Sequence, residues 1–205
     1  MTKIILVRHG HVEGISPERF RGRADLMLTA EGLRQAEATA RRIQVGWTPV
    51  AVYASPLGRC RATAAAIARP FGLSPVTLNA LVDIDYGKWQ GLTPEEARAR
   101  WPDAADTWYR APDWAAIPGG ETLQQVLART IAALREVIGR HPDGTAVLVG
   151  HDSINRVMLL HTLGLPLSRY WRLGQDPCAI NEVEFSAVGF TVLSMNETYH
   201  LKQPA

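Results

Sequence analysis

The chain has 205 residues, of which 22 are basic and 20 acidic, and its formal net charge is +2. Because this charge is small and scattered along the chain, it excludes the basic surface typical of nucleic-acid-binding proteins. The length is sufficient for one domain with its own hydrophobic core. Two cysteines, Cys60 and Cys178, are too few for a disulfide framework or a zinc site. We therefore expect a single domain over residues 1–205 in a reducing compartment, the cytoplasm.

The start of the chain bears on whether the protein is secreted or crosses a membrane. Its most apolar segment runs from Ile4 to Val7, and Arg8 and His9 end it. A signal peptide needs a longer apolar core, and a membrane-spanning helix needs about 20 apolar residues. We therefore expect neither a secretory leader nor a membrane-spanning segment.

Strands and helices alternate along the chain. Short apolar runs predict buried strands, at residues 3–8, 50–54 and 145–149. Apolar residues at helical spacing and N-cap residues predict helices, at about 29–45, 57–69, 121–140 and 153–163. Two further strands, 182–186 and 190–194, are predicted to form a hairpin. This order predicts an α/β fold, a three-layer sandwich in which a mostly parallel central sheet lies between helices.

The stretch from Pro70 to Pro118 is the least regular part of the sequence. It holds six prolines and four of the six tryptophans. We interpret it as short helices that form a small cap, with the cap insertion at about 93–118.

Basic and nucleophilic residues follow three of the predicted strands. They stand in the segments Arg8-His9-Gly10, Ser55-Pro56-Leu57-Gly58-Arg59 and Gly150-His151-Asp152. Ligands of open α/β sheets bind at the carboxyl ends of the strands. An arginine can bind two phosphoryl oxygens, and a histidine nitrogen can attack phosphorus. These residue types together therefore predict a site for a tetrahedral dianion.

Six motifs carry a resemblance to a known family. They are Arg8-His9-Gly10, Leu28-Thr29-x-x-Gly32-x-x-Gln35-Ala36, Ser55-Pro56-Leu57-x-Arg59-x-x-x-Thr63-Ala64, Asp83-x-x-x-Gly87-x-Trp89-x-Gly91, Pro118-Gly119-Gly120-Glu121 and Gly150-His151. In order and spacing the chain resembles the histidine phosphatase superfamily, in its cofactor-dependent phosphoglycerate mutase branch, over about residues 3 to 195. Each motif alone is weak, whereas six in register are specific.

The resemblance implies a role for each matching residue. It implies that His9 is the nucleophile that takes the phosphoryl group. The side chains expected to hold the phosphoryl oxygens, besides His9 itself, are those of Arg8, Arg59 and His151. The family's general acid precedes its Gly-x-Trp-x-Gly segment, which implies this role for Asp83, with Asp85 as the competing candidate. The family commonly has Glu there, so the side chain is one methylene shorter in this chain.

The chain also departs from the mutases of the family. Ile15 stands where the mutases have an Asn that contacts phosphate, and Ile84 and Pro94 replace basic residues that hold the phosphoglycerate carboxylate. These departures favour a phosphatase. Candidate contacts to the rest of the substrate are Arg19, Arg21, Arg23 and Trp89.

The sequence is compatible with four functions. The leading hypothesis is a phosphomonoesterase that acts on a small phosphorylated metabolite through phosphohistidine, with no metal and no cofactor. A phosphoglycerate mutase with the same intermediate is the second. The third is a Mg²⁺-dependent hydrolase that uses the Asp-x-Asp pattern of Asp83 and Asp85, and the fourth is a phosphate-binding regulator without turnover. The sequence leaves the substrate and the oligomeric state open, a homodimer included.

Overall fold

A computed structural model describes residues 1–202 of the chain. Its strands are β1 (Thr2–Arg8), β2 (Ala51–Ala54), β3 (Val76–Thr77), β4 (Thr145–Gly150), β5 (Ile180–Ser186) and β6 (Gly189–Glu197). Its α-helices are α1 (Ala30–Gly46), α2 (Gly58–Ala68), α3 (Pro94–Arg100), α4 (Pro102–Arg110), α5 (Leu123–Arg140) and α6 (Asp152–Thr162). Short 3₁₀ turns connect several of them.

The six strands form one mixed sheet in the order β3-β2-β4-β1-β5-β6. The ladders that join β3, β2, β4 and β1 are parallel. The β5–β6 hairpin pairs antiparallel with itself and with β1. The predicted α/β fold and the C-terminal hairpin are thus confirmed. The sequence did not predict β3, because its two residues are exposed and too few to show a periodicity.

The sheet divides the hydrophobic core into two clusters. Along β1, Ile4 and Leu6 belong to one cluster, and Ile5 and Val7 belong to the other, because successive side chains of a strand point to opposite faces. The first cluster includes residues of α5 and α6, and the second includes residues of α1 and α2. Helices therefore cover both faces of the sheet, as a three-layer sandwich requires.

The helix boundaries follow from local capping. Thr29 caps α1 by accepting a hydrogen bond from Gly32 N, and Thr122 and Gln125 form a capping box at the start of α5. Leu33, an apolar residue at helical spacing in α1, is nevertheless 53% exposed. The buried face of α1 is therefore narrower than the apolar pattern predicts.

The segment expected to be a cap contains α3, α4 and a 3₁₀ turn. Trp108 of α4 is 1% exposed and packs against Tyr170 and Trp171, with ring centroids 5.4 and 5.5 Å away. Phe20, in the loop after β1, exchanges backbone hydrogen bonds with Gly91 and Leu92 just before α3. The segment is thus packed on the core and joined to the loop that follows Arg8. Its role as a cap stays a prediction.

None of the helices in residues 1–202 has the length and apolar character that a membrane crossing demands.

Candidate active site

The carboxyl ends of β1, β2 and β4 bring three segments of the sequence together. His9 N donates a hydrogen bond to Gly150 O over 3.0 Å, and Ser55 N donates one to Val149 O over 3.0 Å. Because these strands are parallel, the residues that follow them meet at one edge of the sheet. The rings of His9 and His151 pack edge to face there, with centroids 5.2 Å apart. The predicted convergence of the strand ends is therefore present.

The ring of His9 is held in one tautomer. Its Nδ1 lies 2.7 Å from Gly10 O, and a carbonyl oxygen only accepts hydrogen bonds, so Nδ1 carries the proton and donates. Nε2 is therefore unprotonated, and Arg59 Nε donates to it over 3.2 Å. Burial, followed by the nearby charges of Arg59 and Arg8, lowers the pKa of His9 well below its ordinary value. His9 thus keeps a neutral ring with an unprotonated Nε2, as a nucleophile requires.

Arg59, the second residue of α2, is fully buried. Its Nη1 donates to Ala24 O over 2.6 Å and its Nη2 donates to Gly22 O over 2.7 Å. Both carbonyls belong to the loop between β1 and α1, so the loop fixes the orientation of the guanidinium. Nη2 also lies 3.2 Å from His151 Nδ1. A fixed positive charge is thereby held beside both histidines.

Arg8 provides a second positive charge, and 6% of it is exposed. Its Nη1 donates to Gln175 O, while its Nε is buried and has no hydrogen-bond partner in the structure. A buried donor without a partner is costly. An anion that accepted this hydrogen would remove that cost, so the site is suited to an oxyanion.

The structure distinguishes the two candidate acids. Asp83 is 4% exposed, and its Oδ2 lies 3.3 Å from Arg59 Nη2 and 3.5 Å from His151 Nδ1. Asp85 instead accepts a hydrogen bond from Gly87 N through Oδ1 and pairs with Arg23 through Oδ2 over 3.2 Å. Burial raises the pKa of Asp83, which favours its protonated form. Of the two, Asp83 lies beside the histidines and has the titration behaviour that suits an acid.

His151 stands at the N-cap position of α6, and a serine holds its ring. Its Nε2 lies 2.9 Å from Ser55 Oγ. Because Arg59 Nη2 can only donate to Nδ1, we place the ring proton on Nε2, which donates to Ser55. Cys60 Sγ lies 3.5 Å from the same nitrogen. Burial raises the pKa of the Cys60 thiol, so it remains a thiol and packs as a small residue.

Of the four candidate contacts to the rest of the substrate, Arg23 forms an ion pair with Asp85, and the other three lie in different surroundings. Arg21 lies near the histidines, since its charge contributes to lowering the pKa of His9 and His151, and its Nε is buried without a hydrogen-bond partner. Arg19 is bound elsewhere: it donates to Gly91 O over 2.8 Å. Trp89 is 0% exposed and belongs to the hydrophobic core. The expectation that Trp89 contacts substrate therefore needs correction, because packing against Phe20 and the cap buries its ring.

Three polar residues of the site were not singled out from the sequence. Ser153 donates to Asp83 Oδ1, Ser55 orients His151, and Gln175 accepts from Arg8 through its carbonyl. Ser55 is the first residue of one strand-end motif and Ser153 directly follows another, which is the signal that could have assigned them a role. Gln175 lies in a loop far along the chain, and no pattern marks it. Among residues 1–202, no cluster of three or more His, Cys, Asp or Glu side chains is arranged to hold a metal ion.

The comparison with protein families decides the relationship. A family model described as the histidine phosphatase superfamily (branch 1) matches residues 4–198. The chain belongs to the histidine phosphatase superfamily. The resemblance drawn from the six motifs is thereby confirmed.

Individual histidine phosphatases similar to this chain have different names. Phosphoserine phosphatase 1 of Hydrogenobacter thermophilus is 33% identical over 98% of this chain and 95% of its own length. A Yersinia pestis protein named "Probable phosphoglycerate mutase GpmB" is 32% identical over 100% of this chain and 97% of its own. A phosphoserine phosphatase mutant from Entamoeba histolytica, solved in complex with phosphoserine, has a TM-score of 0.89 at 25% identity, covering 98% of this chain and 100% of that one.

Proposed function

We propose that this histidine phosphatase is a metal-independent phosphomonoesterase, which hydrolyses a small phosphorylated metabolite through a phosphohistidine formed at Nε2 of His9. The observation that carries the proposal is the hydrogen bond from Arg59 Nε to Nε2 of His9 over 3.2 Å, a contact that requires Nε2 to be unprotonated. A donor that already points at the attacking atom can bind an oxygen of the phosphoryl group attacked there. The positive charges of Arg8 and Arg59 offset the negative charges of the phosphoryl oxygens, so this chemistry does not require a metal ion.

In the first step, His9 Nε2 forms a bond to phosphorus while the ester P–O bond breaks. The departing oxygen takes the proton of the Asp83 carboxyl, so the alcohol leaves neutral and Asp83 becomes a carboxylate. Arg8 and Arg59 donate to oxygens of the transferring group, where negative charge is spread in the transition state. His151 donates to the third oxygen once its Nδ1 has taken up a proton, which the negative charge of the bound phosphoryl group favours. The raised pKa of Asp83 supports this assignment, because the acid must hold its proton when the substrate binds.

In the second step, water replaces the alcohol. The Asp83 carboxylate takes a proton from the water as its oxygen attacks phosphorus, and the N–P bond to His9 breaks. Inorganic phosphate is released, and His9 and the Asp83 carboxyl return to their starting protonation states. The same carboxyl group therefore acts as acid and then as base.

For the substrate, we propose only a class, small phosphorylated metabolites. Two of the relatives are named phosphoserine phosphatases, so phosphoserine is the first metabolite to test, ahead of sugar phosphates and phosphoglycerate derivatives. Arg21, with its buried and unpartnered Nε, is the residue we propose for a second anionic group such as a carboxylate.

The test is phosphate release in excess EDTA from p-nitrophenyl phosphate, phosphoserine, 3-phosphoglycerate and a sugar phosphate. Wild type is compared with His9→Ala and with the control His161→Ala, whose ring lies on α6 against Phe190. We expect EDTA-resistant release by wild type and by the control, and none by His9→Ala. A phosphoryl label that is lost in acid and kept in base, and is absent from His9→Ala, would identify the phosphohistidine.

A mutase is the second candidate, because the Yersinia pestis relative is named as one. It would convert 3-phosphoglycerate to 2-phosphoglycerate without net phosphate release. Isomerisation faster than hydrolysis would replace the phosphatase proposal with the mutase. Turnover that EDTA abolished would favour the Mg²⁺-dependent alternative, and phosphate binding with no turnover would favour a regulator.

A further inference from the structure

The two oxygens of the Asp83 carboxyl group have different surroundings. Oδ1 accepts two hydrogen bonds, from the hydroxyl of Ser153 and from Ile84 N, the latter over 2.9 Å. Oδ2 faces the candidate phosphoryl site, 3.3 Å from Arg59 Nη2 and 3.5 Å from His151 Nδ1. The two donors are thus on the oxygen that faces away from the histidines.

We propose that Ser153 is a positioning residue that directs the acidic proton of Asp83 onto Oδ2, the oxygen that faces the leaving group. The inference rests on the proposed function, in which Asp83 is the general acid. Ser153 itself does not touch the substrate in this proposal, and it acts through Asp83.

The chemistry of a carboxylic acid explains the effect. In the neutral group, one oxygen is a carbonyl that accepts hydrogen bonds well, and the other carries the proton and donates it. Two donors at Oδ1 stabilise the form in which Oδ1 is the carbonyl, so the proton lies on Oδ2. Arg59 Nη2 opposes this with a single donor at 3.3 Å from Oδ2, a longer contact than its 2.7 Å bond to Gly22 O.

The proton on Oδ2 is then in place for the first step, in which the O–H bond breaks and the leaving oxygen gains the hydrogen. In the second step, the same oxygen, now unprotonated, takes a proton from water. Ser153 keeps its bond to Oδ1 throughout, so the carboxyl group does not rotate between the two steps. A fixed orientation matters because proton transfer requires hydrogen-bond distance to the reacting oxygen.

The position of Ser153 supports this role. It is buried, at 0% exposure, and is the second residue of α6, one helical position after Asp152 and two after His151. Its backbone N donates to Asp152 Oδ1 over 2.8 Å. The helix that starts at His151 therefore holds the serine at a defined place beside Asp83.

Other charges around Asp83 also set its protonation. The groups that act on it from neighbouring elements are Arg59 of α2, Arg21 of the β1–α1 loop, His151 at the end of β4 and Asp152 of α6. Burial and Asp152 raise the pKa of Asp83, whereas Arg59, Arg21 and the Ser153 hydrogen bond lower it. Removing the serine hydroxyl therefore raises this pKa further and leaves Ile84 N as the one remaining donor to Oδ1.

The experiment compares wild type with Ser153→Ala and Ser153→Cys. Cysteine keeps the approximate volume of serine but is a weak donor, so it separates the hydrogen bond from packing. Ser194→Ala is the matched control, because Ser194 Oγ has no hydrogen-bond partner and lies on β6. The two substrates are p-nitrophenyl phosphate, whose leaving group hardly needs a proton, and phosphoserine, whose alcohol does.

We expect both Ser153 variants to lose about tenfold or more in kcat on phosphoserine and about twofold or less on p-nitrophenyl phosphate. We also expect the alkaline limb of kcat/KM on phosphoserine to move to higher pH. In an Asp83→Asn background, Ser153→Ala should cause no additional loss, since there is no proton left to direct. The activity on p-nitrophenyl phosphate reports that each variant is folded.

Two results would overturn the inference while leaving the phosphatase proposal intact. One is an equal loss on both esters with an unchanged pH profile, which indicates a structural role only. The other is wild-type behaviour of both Ser153 variants. If the wild-type protein released phosphate from neither ester, the proposed function would fail first, and this inference with it.

Discussion

Arg59 Nε lies 3.2 Å from Nε2 of His9, so a donor occupies the lone pair that attacks phosphorus in the proposed mechanism. An incoming phosphoryl oxygen must take over this hydrogen before His9 can react. The same guanidinium is anchored by two loop carbonyls at 2.6 and 2.7 Å. Substrate binding therefore exchanges one partner of Arg59 and leaves its position unchanged, which limits the reorganisation that the reaction requires.

Because Arg59→Ala removes the donor beside His9 Nε2, it should lower kcat/KM for p-nitrophenyl phosphate by about 100-fold or more. Arg59→Lys should recover little, because lysine cannot present the same planar set of donors. Steady-state kinetics and inhibition by inorganic phosphate provide the measurement. Arg61→Ala, an exposed residue of the same helix, is the control and should keep wild-type values. Near-normal turnover in Arg59→Ala would contradict the assignment.

Changing the two neighbouring carboxylates should have different effects. Asp83→Asn should slow hydrolysis of phosphoserine by about 100-fold and that of p-nitrophenyl phosphate much less, because only the alkyl leaving group needs a proton. Asp85→Asn removes the partner of Arg23 and Gly87 N and should lower both activities alike, if at all. Measuring the ratio of the two rates for each variant tests this. A ratio altered only in Asp85→Asn would exchange their roles.

The buried histidines predict how stability depends on pH. Burial lowers the pKa of His9 and of His151 well below the ordinary value, so the unfolded chain takes up their protons first as the pH falls. Their contribution is therefore complete above the unfolded value of about 6.5 and is lost as the pH drops below it. We expect the Tm of wild type to fall more steeply than that of His9→Asn between about pH 7 and about pH 5.

Thermal unfolding monitored by circular dichroism measures this difference. Both proteins contain Asp83, so the difference between their curves reports the contribution of His9 alone. The raised pKa of Asp83 has the opposite effect on stability, which it increases as the pH falls. Parallel Tm curves over this range would mean that the His9 ring is accessible to protons in the folded state.

Trp89 should matter for stability more than for phosphoryl transfer. Its side chain is 0% exposed in the core, so Trp89→Ala should lower the free energy of unfolding by about 3–5 kcal/mol. Trp114, which is 80% exposed, is the matched control, and Trp114→Ala should change that free energy by about 0.5 kcal/mol or less. Denaturant unfolding distinguishes the two. Loss of activity in a stable Trp89→Ala protein would support the expectation that Trp89 contacts the substrate.

The backbone of Gly32 packs closely against the loop that follows His9. A Cβ on Gly32 would lie 2.2 Å from His11 O, so Gly32→Ala forces the start of α1 away from this loop and should reduce both stability and activity. A Cβ on Gly139 of α5 would lie in open space. Because alanine fits there and favours a helix over glycine, Gly139→Ala should stabilise the protein by about 0.5–1 kcal/mol. Melting temperatures and p-nitrophenyl phosphate kinetics of the two variants test the contrast. Equal effects would show that the loop tolerates displacement.

Much of the fold could be predicted because its signals are local. The apolar runs of β1, β2 and β4 and the capped apolar face of α5 each lie within one continuous segment, and they predict element type without long-range information. The two exposed residues of β3 carry no such signal, and β3 forms only because β2 offers it an edge to pair with. Trp89 shows the converse, since its sequence context does not reveal that α4 and the loop after β1 cover its ring.

By itself, the sequence determined the α/β class, the family and the proximity of His9, Arg59 and His151. These depend on residue types and on the order of the strands, both of which can be read directly from the sequence. Only the tertiary structure decided which carboxyl group faces the histidines. Ser153 and Arg59 are distant from Asp83 in sequence and reach it only through the packing of α2 and α6 against the sheet. Orientation, burial and pKa depend on such long-range contacts, and no local pattern encodes them.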